Sequence, residues 1–296
     1  MQAFSLTFSL KRVAITSILC LAGVFALPAS AADCDRSCMA DLLGQYADAL
    51  LAHDASSLPL AEEVKFTVDG RAATLGEGLW QSVTGNQGFR QDYLDTRQQV
   101  AASHMVLMEG ENHVLLSVLL HLEDSLITGI ETLEQRLTPQ SRFQPTELGA
   151  PIRYMNDPIP RRQRHSREEL IEIALTYPAG LRIGNFTDGG TPFAPECYRV
   201  ENGLIMAEGP GMYAQNVILH PGIIRSVAAV DEENGTVLLW MNFGHTGDSY
   251  GVGNALVTYE AFKIWGGEIH SVLAFFTGLP ISTARFWPAY DRIPML

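Results

Sequence analysis

Residues 98–137 read QQVAASHMVLMEGENHVLLSVLLHLEDSLITGIETLEQRL. Three apolar-rich runs stand out in this stretch, near Gln98–Glu109, His113–Glu123 and Leu126–Leu137. Gly110-Glu111-Asn112 and Asp124-Ser125 separate them with short, polar, turn-like residues. The pattern predicts three long consecutive antiparallel strands. Upstream, Asp69-Gly70 is a turn signal joining a strand at Val64–Val68 to one at Ala72–Leu75. Met39, Leu42, Leu43, Tyr46, Leu50 and Leu51 recur at helical spacing and predict an opening helix. A short Gly-bounded helix, Gly76 to Thr84, carries Trp80.

Downstream, Thr138 to Arg164 holds five prolines and the basic run Arg161-Arg162-Gln163-Arg164, and it has no apolar period. It reads as a linker or wrapping arm. The plan then repeats. Ser166 and Glu169 form a capping box for a helix running to about Tyr177. Pro192-Phe193-Ala194 leads into a strand from Cys197 to Val200, and Glu201-Asn202-Gly203 turns it back through Leu204–Ala207. Longer strands are expected at Ile224–Asp231, Thr236–Phe243, Leu256–Ile264 and Glu268–Phe276. The segment from Pro280 onward is rich in proline and aromatic residues and is expected to lie across a sheet.

The first residues read as an export signal. Lys11 and Arg12 precede an uncharged apolar run from Val13 to Leu27, and Ala29-Ser30-Ala31 offers a small-residue cleavage pattern. Cleavage after Ala31 is expected, leaving a first α+β domain at 32–138, a Pro-rich linker at 139–164 and a second α+β domain with a C-terminal tail at 165–296. The expected compartment is periplasmic or secreted. There Cys34 and Cys38 could close a short disulfide, leaving Cys197 unpaired. The formal charge is −13, and loss of Lys11 and Arg12 takes it to −15. That balance argues against nucleic acid and anionic membrane as partners.

Helix, strand–turn–strand, then three or four long strands, twice over, resembles the NTF2-like (SnoaL-like) α+β superfamily. His53-Asp54, Leu58-Pro59-Leu60-Ala61, Val64-Lys65-Phe66-Thr67 and Leu75-Gly76-Glu77-Gly78-Leu79-Trp80 resemble a poorly characterised exported family of that superfamily. So do Cys197-Tyr198-Arg199-Val200-Glu201-Asn202-Gly203 and Phe243-Gly244-His245-Thr246-Gly247 in the second half. The resemblance implies two tandem cones, each a strongly bent antiparallel sheet wrapped on helices. It is compatible with a homodimer formed through the sheets. In enzymes of this superfamily, Asp, His and Tyr project into the cone and move protons on an apolar substrate.

Five residues are candidates for that role here. Alternation along Val237–Phe243 puts His245 on the face of Met241 and Phe243, beside a Gly-rich loop, as a proton-transfer group. Arg199, if inward, could bind a carboxylate or stabilise an enolate. Tyr177 at the helix end, Asp188 before Gly189-Gly190, and Glu260 in a long strand complete the set. Tyr46, His53 and Asp54 gather at the first helix end, where turn chemistry is the simpler reading. His104, His113 and His121 lie on successive strands, but His113 and His121 are roughly 26 Å apart along one strand and cannot share an ion. No Gly-x-Ser-x-Gly elbow, dinucleotide fingerprint, Walker loop or His-Glu-x-x-His is present. The expectation is a cofactor-independent, metal-free acid/base enzyme of dehydratase, isomerase or lyase type, acting on a small apolar or aromatic molecule. The alternative is a non-catalytic exported protein that binds a lipophilic small molecule. In a third arrangement one half serves only as a structural partner for the other.

Overall fold

The computed structural model describes residues 33–214, 220–245 and 249–290, together with Gln2. The expected export signal, cleavage site and Cys20 lie outside the described residues.

The chain forms two six-stranded sheets with helices, an α+β arrangement. The N-terminal half runs α1 (Arg36–Leu51), β1 (Leu60–Val68), β2 (Arg71–Ala72), α2 (Leu79–Ser82), β3 (Gly85–Asp95), β4 (Val100–Glu109), β5 (Asn112–Glu123) and β6 (Leu126–Leu137). The C-terminal half repeats this order as α3 (Arg167–Ile183), β7 (Phe193–Glu201), β8 (Leu204–Glu208), α4 (Gly211–Ala214), β9 (Ile224–Asp231), β10 (Thr236–Asn242), β11 (Asn254–Trp265) and β12 (Glu268–Pro280). Both sheets have the same strand order, β2-β1-β6-β5-β4-β3 and β8-β7-β12-β11-β10-β9. The sheets are mixed rather than wholly antiparallel, because β1 runs parallel to β6 and β7 parallel to β12. The reason is connectivity: each first strand returns through a turn to the sheet edge, and the last strand closes beside it.

The strand expected at Ala72–Leu75 is only Arg71–Ala72, the helix expected at Gly76–Thr84 only Leu79–Ser82, and three further differences have a local cause. β3 fills a stretch for which the sequence gives no expected element; it opens on Gly85-Asn86-Gln87-Gly88, and Gly88 sits at φ 95° inside a register shift between Asn86 and Arg90, so a bulge breaks its alternation. Helix α3 continues six residues past Tyr177, through Pro178, to a left-handed cap at Gly184. Its buried face, Leu170, Ala174, Tyr177 and Leu181, holds it together across the missing amide. β10 ends at Asn242, one residue early, because the Asn242 side chain accepts from Gly244 N (2.9 Å) and Gly244 turns to φ 71°.

Alternation in the strands divides the core into three. Each helix covers one face of its own sheet, with Leu43, Tyr46 and Leu120 in one cluster and Tyr177, Phe186 and Phe262 in the other. The remaining faces meet each other. Val100, Leu119, Leu133, Tyr198, Leu238 and Phe275 form one shared seam. Each half thus covers the open sheet face of the other.

Reciprocal ion pairs fasten the seam. Asp95, the last residue of β3, accepts from Arg167 at the start of α3 (3.0 and 2.7 Å) and from Val230 N in β9 (2.8 Å). Asp231, the last residue of β9, accepts from Arg36 at the start of α1 (2.6 and 3.0 Å) and from Leu94 N in β3 (3.1 Å). The two sets occupy matching positions in the two halves, as an isologous contact would. The C-terminal segment straps the seam. Arg285 holds Glu131 (2.5 Å), Glu131 also accepts from Tyr259 Oη (2.7 Å), and Trp287 stacks on His121 at 4.2 Å. Cys34 and Cys38 are bonded across the first turn of α1.

Candidate functional site

In β7, alternation sends Tyr198 and Val200 into the seam and Cys197 onto the helix-covered face. Arg199 and Glu201 follow Cys197 onto that face. In β11, Tyr259 and Ala261 enter the seam, so Glu260 faces α3 beside Phe262. Strand β12 lies between β7 and β11. Arg199 pairs with Val272, while Glu260 pairs with Ala274 on one side and Leu239 on the other. Tyr177, on the buried side of α3, closes over the group.

Four side chains thus meet. Arg199 Nη1 donates to Tyr177 Oη at 2.9 Å, and Arg199 Nε lies 2.7 Å from Glu201 Oε1. Tyr177 also hydrogen-bonds Glu260. Tyr177, Arg199 and Glu260 are buried, whereas the Glu201 side chain is 22 % exposed and gives the group its solvent-facing end. Glu260 itself is only 2 % exposed, and its Oε1 has no hydrogen-bond partner among the described residues. An orphaned buried acceptor costs about 1–3 kcal/mol, so it calls for an explanation.

The electrostatics follow from burial. Loss of water pushes the Glu260 carboxyl up to about 8 from an ordinary 4.5, and the Glu201 charge pushes the same way. Arg199 and the Tyr177 hydrogen bond oppose the rise without cancelling it. Glu260 is therefore largely protonated at neutral pH. Burial lifts the Tyr177 phenol well above its usual range and the Cys197 thiol to about 12, so neither ionises. An aromatic wall stands behind the group: Tyr177–Phe186 and Tyr177–Phe262 centroids are each 4.9 Å apart, and Phe186–Phe193 5.2 Å.

Of the five sequence candidates, Tyr177, Arg199 and Glu260 come together, and two stand elsewhere. His245 is exposed, because the Asn242–Gly244 turn ends the alternation that would have carried it inward. Asp188 is exposed in the turn after α3, where it exchanges hydrogen bonds with Asn185 (2.9 and 3.0 Å). Glu201 is the member missed; it reads as a turn residue, yet its two-residue spacing from Arg199 places it on the same face. In the first half, His53 Nδ1 contacts Trp80 O at 2.6 Å and Asp54 caps a short 3-10 turn, which is turn chemistry. His104 and His121 face the seam, where His104 meets Tyr93 Oη and His121 meets Glu131.

Matching the halves shows where the site is not repeated. Arg36 and Arg167 each open a helix, so Tyr46 corresponds to Tyr177. Phe66 pairs with Ile130 as Arg199 pairs with Val272, and Asp69-Gly70 turns as Asn202-Gly203 does. Aligning the β5–β6 and β11–β12 hairpins at their bulges sets His121 against Lys263, and hence Val118 against Glu260. The first half therefore carries Tyr46, Phe66, Val68 and Val118 where the second carries Tyr177, Arg199, Glu201 and Glu260. It keeps the tyrosine and has apolar residues at the three charged positions; its own buried carboxyl near Tyr46 is Glu134, on a different strand, paired with Arg136 at 2.9 Å.

A family model described as a domain of unknown function (DUF8021) matches residues 163–276, which include all four residues of the group. No curated protein matches the chain.

Proposed function

We propose that the C-terminal half is an NTF2-like cone whose Tyr177–Arg199–Glu201–Glu260 group performs cofactor-independent acid/base chemistry on a small apolar or aromatic molecule. The N-terminal half is then its structural partner, and the chain works outside the cytoplasm, in the periplasm or secreted. The reaction type is that of a dehydratase, isomerase or lyase. One observation carries this reading: a buried carboxyl with an orphaned oxygen and a midpoint raised toward neutrality, at a position that is apolar in the other half.

Glu260 takes the proton-transfer role expected of His245. A group whose midpoint lies near the working pH gives and takes protons with little energetic penalty, and such a group contributes about 10²–10⁴-fold to rate. Tyr177 holds Glu260 in place through its hydroxyl. Glu201 neutralises Arg199 and links the buried group to solvent.

The test is incubation of the mature chain in D₂O with small phenols, lactones and steroid-like ketones, read by mass spectrometry for conversion or carbon-bound deuterium. At least one compound is converted or labelled by the native chain, and Glu260→Gln slows this by about 100-fold or more. Compounds that bind but never exchange would instead establish a carrier. Loss of activity in His245→Ala with Glu260→Gln unaffected would return the role to His245.

A further inference from the structure

The C-terminal strap lies in a slot that the first sheet is shaped to provide. Lys65, Gly129 and His121 form one row across β1, β6 and β5. Trp287 lies along this row, and a side-chain carbon on Gly129 would stand 2.4 Å from its ring. The His121 imidazole stacks on the indole at 4.2 Å between centroids, and Lys65 Nζ sits 4.0 Å from the indole centroid. In the next row, Thr67 accepts from Trp287 Nε1 at 2.9 Å and Glu131 holds Arg285. The strap also reaches the second half, where Arg285 donates to Ser226 Oγ (3.1 Å) and Tyr290 N to Val227 O (3.1 Å). Beneath it is a narrow cavity between the two sheets, walled by Thr67, Glu131, Trp240 and Tyr259 and roofed by Arg285 and Trp287. The strap therefore covers the cleft between the halves.

His121 is the member of this slot whose ordinary midpoint lies between neutral and mildly acid pH. Around it stand one carboxylate, Glu131 at 3.1 Å, and two cations, Arg285 from the strap and Lys65 from β1. Val100, its neighbour in β4, is apolar, and burial keeps the Tyr259 phenol of β11 un-ionised. Glu131 is already countered by Arg285, so a proton on His121 adds a third positive charge to a site holding one negative charge. Burial and the two cations push the imidazole below its ordinary 6.5, and Glu131 opposes them without prevailing. A midpoint lowered in the docked state means that docking is fully favoured above 6.5 and weakens as pH falls below it. Burial raises the Glu131 carboxyl, but Arg285 and His121 bring it below 4.5, so it stays charged through this window.

The matching row of the second half, Tyr198–Ser271–Lys263, is covered by the linker instead. There Arg153 N donates to Tyr198 Oη (2.6 Å) and Lys263 Nζ to Asp157 O (2.9 Å). Burial lowers Lys263 only to about 8, so it is charged throughout the acidic range and acid does not change its grip on that arm.

We infer that the C-terminal strap is an acid-released latch: protonation of His121 ejects Trp287 from its slot and opens the cleft between the halves. The Glu260 reading plays no part in it. The test is ¹⁹F NMR of the full mature chain carrying 5-fluorotryptophan, titrated from pH 7.5 to pH 5, with Trp287→Phe and Trp80→Phe to assign two signals. The Trp287 signal moves toward its solvent-exposed position, with the released fraction rising about tenfold. The Trp80 signal, packed against Tyr46 of α1, stays in place. His121→Gln, which is neutral at every pH, keeps Trp287 docked at pH 5, and His121→Lys, which is charged throughout, releases it at pH 7.5. Should the lysine variant fail to melt cooperatively, the native titration and the glutamine variant decide the question. A Trp287 signal that does not move, one that moves equally in His121→Gln, or one that moves only together with Trp80 as the whole chain unfolds would each overturn the inference.

Discussion

Replacing Glu260 with glutamine should make the protein more stable in mildly alkaline solution and leave it unchanged in acid. The carboxyl is protonated in the folded chain up to about 8 but only to 4.5 when unfolded. A raised folded midpoint means that its favourable contribution is complete below 4.5 and is lost as pH climbs through 8. Across that window the native state holds about one more proton than the unfolded state, so stability falls by about 1.4 kcal/mol per pH unit. From pH 5 to pH 7.5 the loss is about 3 kcal/mol, and a neutral amide does not suffer it. For a chain of this size each kcal/mol moves Tm by about 2–4 °C, so the variant should melt about 6–12 °C above the native protein at pH 7.5 and with it at pH 5. Every other titrating group is common to both proteins, and the difference between the curves isolates this one. Differential scanning calorimetry over pH 5 to 8.5 is the assay. Parallel melting curves for the two proteins would refute the reasoning, since they would mean that Glu260 ionises alike in both states.

Removing the buried side of the seam pairing, Arg167→Ala, leaves Asp95 without its cation and should cost about 3–5 kcal/mol by urea unfolding. Arg36→Ala should cost about 1 kcal/mol, because Arg36 is 32 % exposed and its charge is partly screened. Gly129→Ala would drive a methyl group into the Trp287 ring and should lower stability by about 1–3 kcal/mol, with loss of the His121–Trp287 stack seen as a change in tryptophan fluorescence. Reducing the Cys34–Cys38 bond should cost about 2 kcal/mol, a small effect because the closed loop is short; thermal melts with and without reductant measure it.

The sequence exposes what is local and hides what depends on register. Strand β6 was legible to the residue, since Asp124-Ser125 and Thr138-Pro139 bound its apolar run on both sides. β3 was not, because its bulge breaks the alternation, and α3 ran past a proline that ordinarily stops a helix. Tyr177, Arg199 and Glu260 each showed as polar residues on an otherwise apolar face. Nothing in their spacing showed that the β12 register would bring them together. Glu201 stayed hidden because its turn neighbours Asn202 and Gly203 gave it a sufficient explanation. The Arg36–Asp231 and Arg167–Asp95 pairs join residues far apart in the chain, and no periodic signal reaches that distance. His245 shows the converse: alternation projected past Asn242 fails when one side chain turns the backbone.

Everything proposed for the second half depends on its Glu260 carboxyl being held protonated near neutral pH. Titrating the Glu260 side-chain carboxyl by ¹³C NMR, with Glu260→Gln to assign the signal, tests it most directly. The expected midpoint is about 8, moving down when Glu201→Gln removes the neighbouring charge. A midpoint near 4.5, indifferent to Glu201, would contradict it.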